Sequence, residues 1–153
     1  MASEDPVLAG LRRLGFVQYS GVQWKEFSPG RSVLSMAPRA EHLNHNKDLH
    51  AAVLFGIAET SAMGASVSAI GDWVDETYIV VRDGRIEYKA RAKGDTGPFV
   101  VTSAFSAELL AKIQADVAAR VPVEFEAPAD IADSTGKIVA SAGFTAVFRP
   151  RRA

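Results

Sequence analysis

Three polar residues that could take part in catalysis lie close together in the chain: Asn44, His50 and Glu59. Glu59 is the most unusual of them, because His50 is the only other ionisable residue between Leu49 and Gly71. A carboxylate in a long apolar helix loses hydration, so its pKa should rise and its presence needs a reason. One reason is work as a base or nucleophile near neutral pH. The alternative is a structural acid that pairs with an arginine or accepts a hydrogen bond from a hydroxyl.

The start of the same predicted helix is the second candidate for chemistry. His50 and Ala51 lie there, where backbone N–H groups lack helical partners and the helix dipole favours negative charge. Such amides can stabilise the oxyanion that forms when a carbonyl is attacked, a role that needs only the backbone of Ala51. The Asn44 amide is a candidate for holding that carbonyl or the attacking water. The alternative for Asn44 is a turn residue that satisfies its own backbone.

The spacing of His50 and Glu59 limits how they can cooperate. Nine residues make two and a half helical turns, so the two side chains point to opposite faces, about 13 Å apart along the axis. They cannot form a dyad within one chain. A substrate that meets both groups therefore requires two subunits.

A cluster of three histidines raises the question of a metal site. His42, His45 and His50 lie within nine residues, with Glu41 and Asp48 among them. This spacing matches no standard set of zinc ligands. We therefore expect neither a metal nor another cofactor.

The composition narrows the class of protein. Seventeen Lys and Arg residues against 18 Asp and Glu give a formal net charge of −1, which predicts no binding to nucleic acid. The absence of cysteine excludes disulfides and a cysteine nucleophile. No secretory signal is visible at the acidic start of the chain, and the apolar stretch around Glu59 is better explained as a buried helix than as a membrane span. The expected location is the cytoplasm.

The elements that must position these residues follow from the hydrophobic pattern. We expect one α+β domain over residues 1–153, with an antiparallel sheet around one long helix. A proline–glycine turn joins the first two strands, Asp48 favours the start of the long helix, and Ser106 caps a later helix. The Asp83-Gly84 dipeptide marks either a hairpin turn or a bulge in one long strand. The predicted helices cover residues 6–14, 48–67 and 107–120, and the predicted strands cover residues 21–27, 31–36, 77–82, 85–93, 99–105, 123–131 and 137–148.

The segment Asn44–Glu59 resembles the signature of hot-dog thioesterases related to the phenylacetate-pathway (PaaI-like) enzymes. That signature has an Asn or Gln, then a His usually followed by Gly-Gly, then an acid on the central helix at the spacing seen here. Tyr88–Gly94 resembles the family's long strand and its turn, and Asp133–Ala140 resembles its last hairpin. The resemblance covers residues 20–149, but only the first segment is specific.

The resemblance implies a hot-dog fold and an acyl-CoA thioesterase that works as a homodimer or homotetramer, with each active site borrowing its acid across the dimer interface. Glu59 would be the nucleophile or the base for water, with Asn44, His50 and Ala51 at the helix start. Met63 stands where some relatives carry a threonine that helps to place water, so it is a substrate-binding candidate. Lys93 is a candidate for contact with the CoA phosphates, as are the arginines at the end of the chain.

Departures from the family pattern keep other functions open. Lys47 stands where the family often has glycine, and Ala51-Ala52 replaces Gly-Gly. These changes suit either a different acyl pocket or a protein that binds acyl-CoA as a sensor without hydrolysing it. A dehydratase of the acyl-carrier-protein type ranks last, because its His-Phe-Pro stretch is absent.

Overall fold

The computed structural model describes residues 4–152. Its main feature is a six-stranded antiparallel sheet with the strand order β1-β2-β4-β5-β6-β3. The strands are β1 (Gln23–Ser28), β2 (Arg31–Met36), β3 (Thr77–Tyr88), β4 (Phe99–Ala104), β5 (Val123–Ala132) and β6 (Ile138–Pro150). The helices are α1 (Pro6–Leu11), α2 (Gly15–Ser20), α3 (Ala51–Ser68) and α4 (Ala107–Ala118). The predicted α+β class is confirmed.

The long helix α3 packs against the inner face of the sheet, on β2, β4, β5 and β6. Ile57, Ala58, Ala62 and Ala65 are completely buried there. Small side chains allow this close approach. A Cβ at Gly64 would lie 2.7 Å from the Ser32 hydroxyl oxygen, so the helix can come this near to β2 only with glycine at that position.

The strand predicted over residues 85–93 ends at Tyr88, several other boundaries differ by one or two residues, and two larger differences bear on the site. The helix α3 begins at Ala51 rather than at Asp48, because His50 and not Asp48 is its N-cap. The predicted N-terminal helix over residues 6–14 ends at Leu11, and a second, unpredicted helix α2 follows. Leu14 has an extended backbone between them, which turns the chain so that α2 can pack against α3.

The Asp83-Gly84 dipeptide lies within a single strand, so the bulge alternative is correct. The register of β3 against β6 shifts between Val81 and Asp83. A Cβ at Gly84 would lie 2.5 Å from the Phe144 ring, so the strand needs glycine here. As predicted, Ser106 caps α4, with its hydroxyl oxygen accepting from the Leu109 N–H at 3.1 Å.

The helix α3 is long and apolar enough, by length and composition, to cross a membrane, with a mean hydropathy of 1.3. However, 67% of it is buried inside the domain. A core helix of this kind satisfies the same criteria as a membrane span, which agrees with its interpretation as a buried helix.

Candidate active site

The Glu59 side chain is half-buried and does not belong to the set of α3 residues that are buried in the core. Burial raises its pKa above the ordinary value. Within residues 4–152 it has no hydrogen-bond or ion-pair partner, and the neighbouring Thr60 hydroxyl donates instead to the Gly56 carbonyl at 2.8 Å. The pairing expected of a structural acid is therefore not found in the described part of the chain.

Glu59 belongs to an incompletely covered stripe of α3. The stripe consists of Ala52, Phe55, Gly56, Glu59 and Met63, which recur at helical spacing and are all exposed or half-buried. Apart from Glu59 the stripe is apolar, which accounts for the loss of hydration at the carboxylate.

The start of α3 has fewer free amides than the sequence suggested. The His50 N–H donates to the His42 carbonyl at 2.9 Å, so it is not available to a substrate. The His50 ring nitrogen Nδ1 accepts from the Ala52 N–H at 3.0 Å. The N–H groups of Val53 and Leu54 donate to the His50 carbonyl. Within residues 4–152, the Ala51 N–H is the amide of this turn that has no partner.

The tautomer of His50 follows from the same contact. Because Nδ1 accepts a hydrogen bond, the neutral ring carries its proton on Nε2. The expectation that both His50 and Ala51 offer backbone donors is thus corrected to Ala51 alone. His50 instead contributes its side chain, which fixes the first turn of the helix.

Asn44 shapes the loop before the helix. Its side-chain oxygen accepts from the N–H groups of Asn46 at 2.8 Å and Asp48 at 3.2 Å. The turn-residue interpretation therefore accounts for this oxygen. The amide nitrogen of Asn44 makes no hydrogen bond to another residue of 4–152, so a role for it towards a substrate stays a prediction.

The same loop is held by the segment that follows β3. The Arg91 guanidinium donates to both carboxylate oxygens of Asp48, at 2.9 and 3.0 Å. Asp48, expected at the helix start, is therefore part of this clamp. Two backbone hydrogen bonds run alongside, from the Leu49 N–H to the Ala92 carbonyl and from the Gly94 N–H to the Lys47 carbonyl. We call these contacts the loop clamp.

A shallow polar pocket of about 550 Å³ lies on the outer side of the loop clamp. Lys47, Arg91 and Lys93 line the pocket, and the guanidinium of Arg91 is already paired with the Asp48 carboxylate. Lys47 and Lys93 form no ion pair with another residue of 4–152, so both ammonium groups are available to an anion.

The three histidines do not come together as a metal site. The buried His42 ring accepts from the Arg39 N–H at 3.1 Å with one nitrogen and lies 2.9 Å from the Tyr19 carbonyl with the other. Over residues 4–152, no group of three His, Cys, Asp or Glu side chains could hold a metal ion.

The family described as a domain of unknown function (DUF4442) matches residues 11–147. The chain belongs to this family. The match covers every element that builds the site, from α2 through the loop and α3 to β6. No curated protein matches the chain.

Solved structures share the fold of this DUF4442 chain at low sequence identity. A Pseudomonas aeruginosa protein of unknown function, described as a probable thioesterase, has a TM-score of 0.79 at 23% identity, with 95% of this chain and 97% of that chain covered. The Escherichia coli PaaI protein from the phenylacetic acid degradation operon has a TM-score of 0.70 at 14% identity, covering 96% and 91%. A mutant of a Staphylococcus aureus thioesterase has a TM-score of 0.71 at 12% identity, covering 90% and 100%. The predicted hot-dog fold is confirmed.

Sequence reasoning missed three residues that organise the site. Arg91 completes the loop clamp, Tyr88 donates its hydroxyl to the Ala51 carbonyl at 3.2 Å, and Phe16 lies over Gly56. All three come from segments distant in sequence from α3. Only the glycine at position 56, unusual inside a helix, signalled that another group approaches closely there.

Proposed function

We propose that this protein hydrolyses an acyl-CoA thioester at a site built from two copies of the chain. The observation that supports the proposal most directly is the Glu59 carboxylate, which is desolvated, has a raised pKa and lacks a partner within residues 4–152. A carboxylate in this condition suits a base or nucleophile. The thioesterase descriptions of structures with the same fold point to the same class of reaction.

The reaction consumes one water molecule. An oxygen atom, from water or from the Glu59 carboxylate, adds to the thioester carbonyl carbon, and the carbon–sulfur bond breaks. After hydrolysis the products are a carboxylic acid and CoA with a free thiol. Glu59 either takes the proton from water or attacks the carbonyl itself to give an anhydride that water then opens. The Ala51 N–H stabilises the oxyanion in both cases.

The two groups come from different subunits in this proposal. The Ala51 N–H lies at the start of α3, and Glu59 lies more than two turns further along the same helix. The incompletely covered stripe of α3 gives the second subunit an apolar surface to bury. A homodimer, alone or within a homotetramer, would bring the acid of one chain to the helix start of the other.

The charged end of the substrate has a candidate position as well. Lys47 and Lys93 line the polar pocket outside the loop clamp, and neither is paired with an acid of the described chain. They would contact the phosphates of CoA. Met63, half-buried one turn beyond Glu59, would contact the acyl end or the water.

Binding without hydrolysis is the second candidate function, and one observation favours it. Since the Ala52 N–H donates to the His50 ring, the Ala51 N–H is the single backbone donor without a partner at the helix start in the described chain. A sensor would need the pocket to bind acyl-CoA, but it would not need a second backbone donor to stabilise an oxyanion.

Replacing Glu59 with Gln tests the proposal. If Glu59 is the base or nucleophile, kcat should fall at least ~100-fold, measured with a panel of acyl-CoAs by thiol release. A structural acid predicts instead a loss of ~1–3 kcal/mol in the free energy of unfolding with activity per folded molecule retained. Glu108→Gln, which removes an exposed carboxylate on α4, is the matched control. A parent protein that binds acyl-CoA but hydrolyses none would favour the sensor.

The raised pKa adds a dependence on pH. The wild-type rate should increase with pH as Glu59 ionises, with its midpoint above the ordinary pKa of glutamate. Because the folded state raises this pKa, ionisation of Glu59 destabilises the fold as the pH rises above the ordinary value. Glu59→Gln should therefore be at least as stable as the parent at neutral pH, and the difference should disappear in acid.

A further inference from the structure

A pocket of about 290 Å³ lies beside the start of α3, between that helix, α2 and the loop that precedes α3. The residues that line it are Phe16, Tyr19, Glu41, Leu43, His50, Ala52 and Val53. Most of this lining is apolar or aromatic. The Glu41 carboxylate lies 2.8 Å from the Arg39 guanidinium, so its charge is compensated.

The wall contributed by α2 is held in place by specific contacts. The Tyr19 hydroxyl donates to the Glu41 carbonyl at 3.1 Å, and the Tyr19 ring meets the His42 ring edge-on with centroids 5.1 Å apart. Phe16 lies directly on α3, where a Cβ at Gly56 would be 2.3 Å from the tip of its ring. The glycine thus allows Phe16 to close the pocket on this side.

We propose that this pocket binds the acyl group of the substrate and that Phe16 limits the length of that group. This inference rests on the proposed function. His50 and Ala52 line the pocket and flank Ala51, whose N–H is the proposed donor to the thioester carbonyl. In this proposal, a carbonyl that accepts from the Ala51 N–H would have its acyl group directed towards the pocket lined by the two neighbouring residues.

The position of the second pocket agrees with this placement. Leu43 lines both pockets, with the apolar one on the α2 side of the loop and the polar one on the Lys93 side. An acyl-CoA is apolar at one end and anionic at the other, so the acyl end would meet the apolar lining and the phosphates would meet Lys47 and Lys93, in a pocket that Asp48 and Asp95 also line.

The volume of the pocket indicates a compact acyl group. Pockets for drug-sized ligands usually measure about 300–1,000 Å³, so this one lies at the lower limit. Phe16 bounds the pocket on the side of Gly56, so a chain that extends in that direction would have to displace its ring. The substrate class we infer is therefore short-chain or otherwise compact acyl-CoA.

A chain-length profile of the wild type and two Phe16 variants tests the inference. We measure kcat/KM with butyryl-, hexanoyl-, decanoyl- and palmitoyl-CoA. The parent should prefer the shorter chains. Phe16→Ala should shift the ratio of decanoyl to butyryl kcat/KM by at least ~10-fold towards the longer chain, and Phe16→Trp should shift it the other way. Leu14→Ala, an exposed apolar residue of the same segment that does not line the pocket, should leave the ratio unchanged.

Binding separates failure of this inference from failure of the proposed function. Titration calorimetry of the Glu59→Gln protein with each acyl-CoA, and with CoA itself, reports the acyl contribution without turnover. One outcome is a parent protein without hydrolytic activity, together with a Phe16→Ala, Glu59→Gln double variant that gains affinity for decanoyl-CoA over butyryl-CoA. That outcome supports the pocket assignment and contradicts the proposed hydrolysis. A parent that prefers palmitoyl-CoA, or a profile that neither Phe16 variant moves, overturns the assignment.

Discussion

Within residues 4–152, no hydrogen-bond partner is found for the Glu59 carboxylate, the Ala51 N–H or the amide nitrogen of Asn44. In the proposed chemistry, Glu59 is the negatively charged base or nucleophile, and the Ala51 N–H donates to the negatively charged oxyanion. Neighbouring groups are already used. His50 caps the helix, and the Asn44 oxygen holds the loop. At the level of single residues, the unused groups are the ones available to a substrate.

Ala51→Pro tests the oxyanion donor with little disturbance of the fold. Proline is favoured at the first position of a helix, and the extended backbone of His50 suits a residue before proline. The substitution removes only the N–H that has no partner in the described chain. We expect kcat to fall ~100- to 1,000-fold with an unchanged unfolding midpoint, measured by thiol release and thermal denaturation. Ala51→Ser, which keeps the N–H, should retain activity, and full activity in the proline variant would exclude the donor role.

At the scale of helices and strands, the loop clamp holds the loop that leads into α3. Asp48 is buried while Arg91 is largely exposed, and two backbone hydrogen bonds join the loop to the segment after β3. The clamp thus couples the helix start to the sheet. Tyr88, at the end of β3, adds a contact to the Ala51 carbonyl.

Arg91→Ala should therefore lower kcat by more than the loss of folded protein accounts for. Loss of the guanidinium leaves the Asp48 carboxylate buried without its partner, so the loop should shift and misplace the Ala51 N–H. We expect kcat to fall ~10- to 100-fold with a smaller change in KM, measured by steady-state kinetics on the folded protein. Combining it with Asp48→Asn should restore part of the rate, since the unpaired charge is gone.

The control for this variant is Arg31→Ala, which removes the exposed ion pair between Arg31 and Glu26 on β1 and β2. Surface pairs of this kind contribute little, and this one lies away from the helix start. If both arginine variants lowered the rate equally, the clamp would have no special role.

At the scale of the whole molecule, two features support the proposed association with a second copy. The strand β3 pairs with β6 on one side and forms one edge of the sheet over its 12 residues. The stripe of α3 that carries Glu59 is incompletely covered as well. Association of two chains along this side would bury both features and complete the proposed site.

Mixing two inactive variants tests the shared site. Glu59→Gln lacks the acid and Ala51→Pro lacks the donor, so each homodimer has two defective sites. After dissociation and reassociation of equal amounts, half of the dimers are mixed, and each mixed dimer has one intact site. Activity should recover to about one quarter of the parent value, with light scattering confirming the dimer. No recovery in verified mixed dimers, or a protein that stays monomeric at micromolar concentrations, would contradict the shared site.

The sequence by itself determined the elements with a strong local pattern. The Ser106 cap, the glycine-containing turn between β1 and β2, and the alternation along β5 depend on neighbours within a few residues. The unusual position of Glu59 was visible for the same reason, because an acid in an apolar helix is a local anomaly. Its raised pKa follows from burial alone.

The tertiary structure decided the groups that remain free and the boundaries set by distant partners. The Asp48 carboxylate looked like a helix cap, but Arg91, 43 residues later, pairs with it instead and leaves the cap to His50. The contact of Phe16 with Gly56, which joins α2 to α3, likewise lies between residues far apart in the sequence. Such contacts join residues whose separation in sequence carries no periodic signal, so the packed fold alone brings them together.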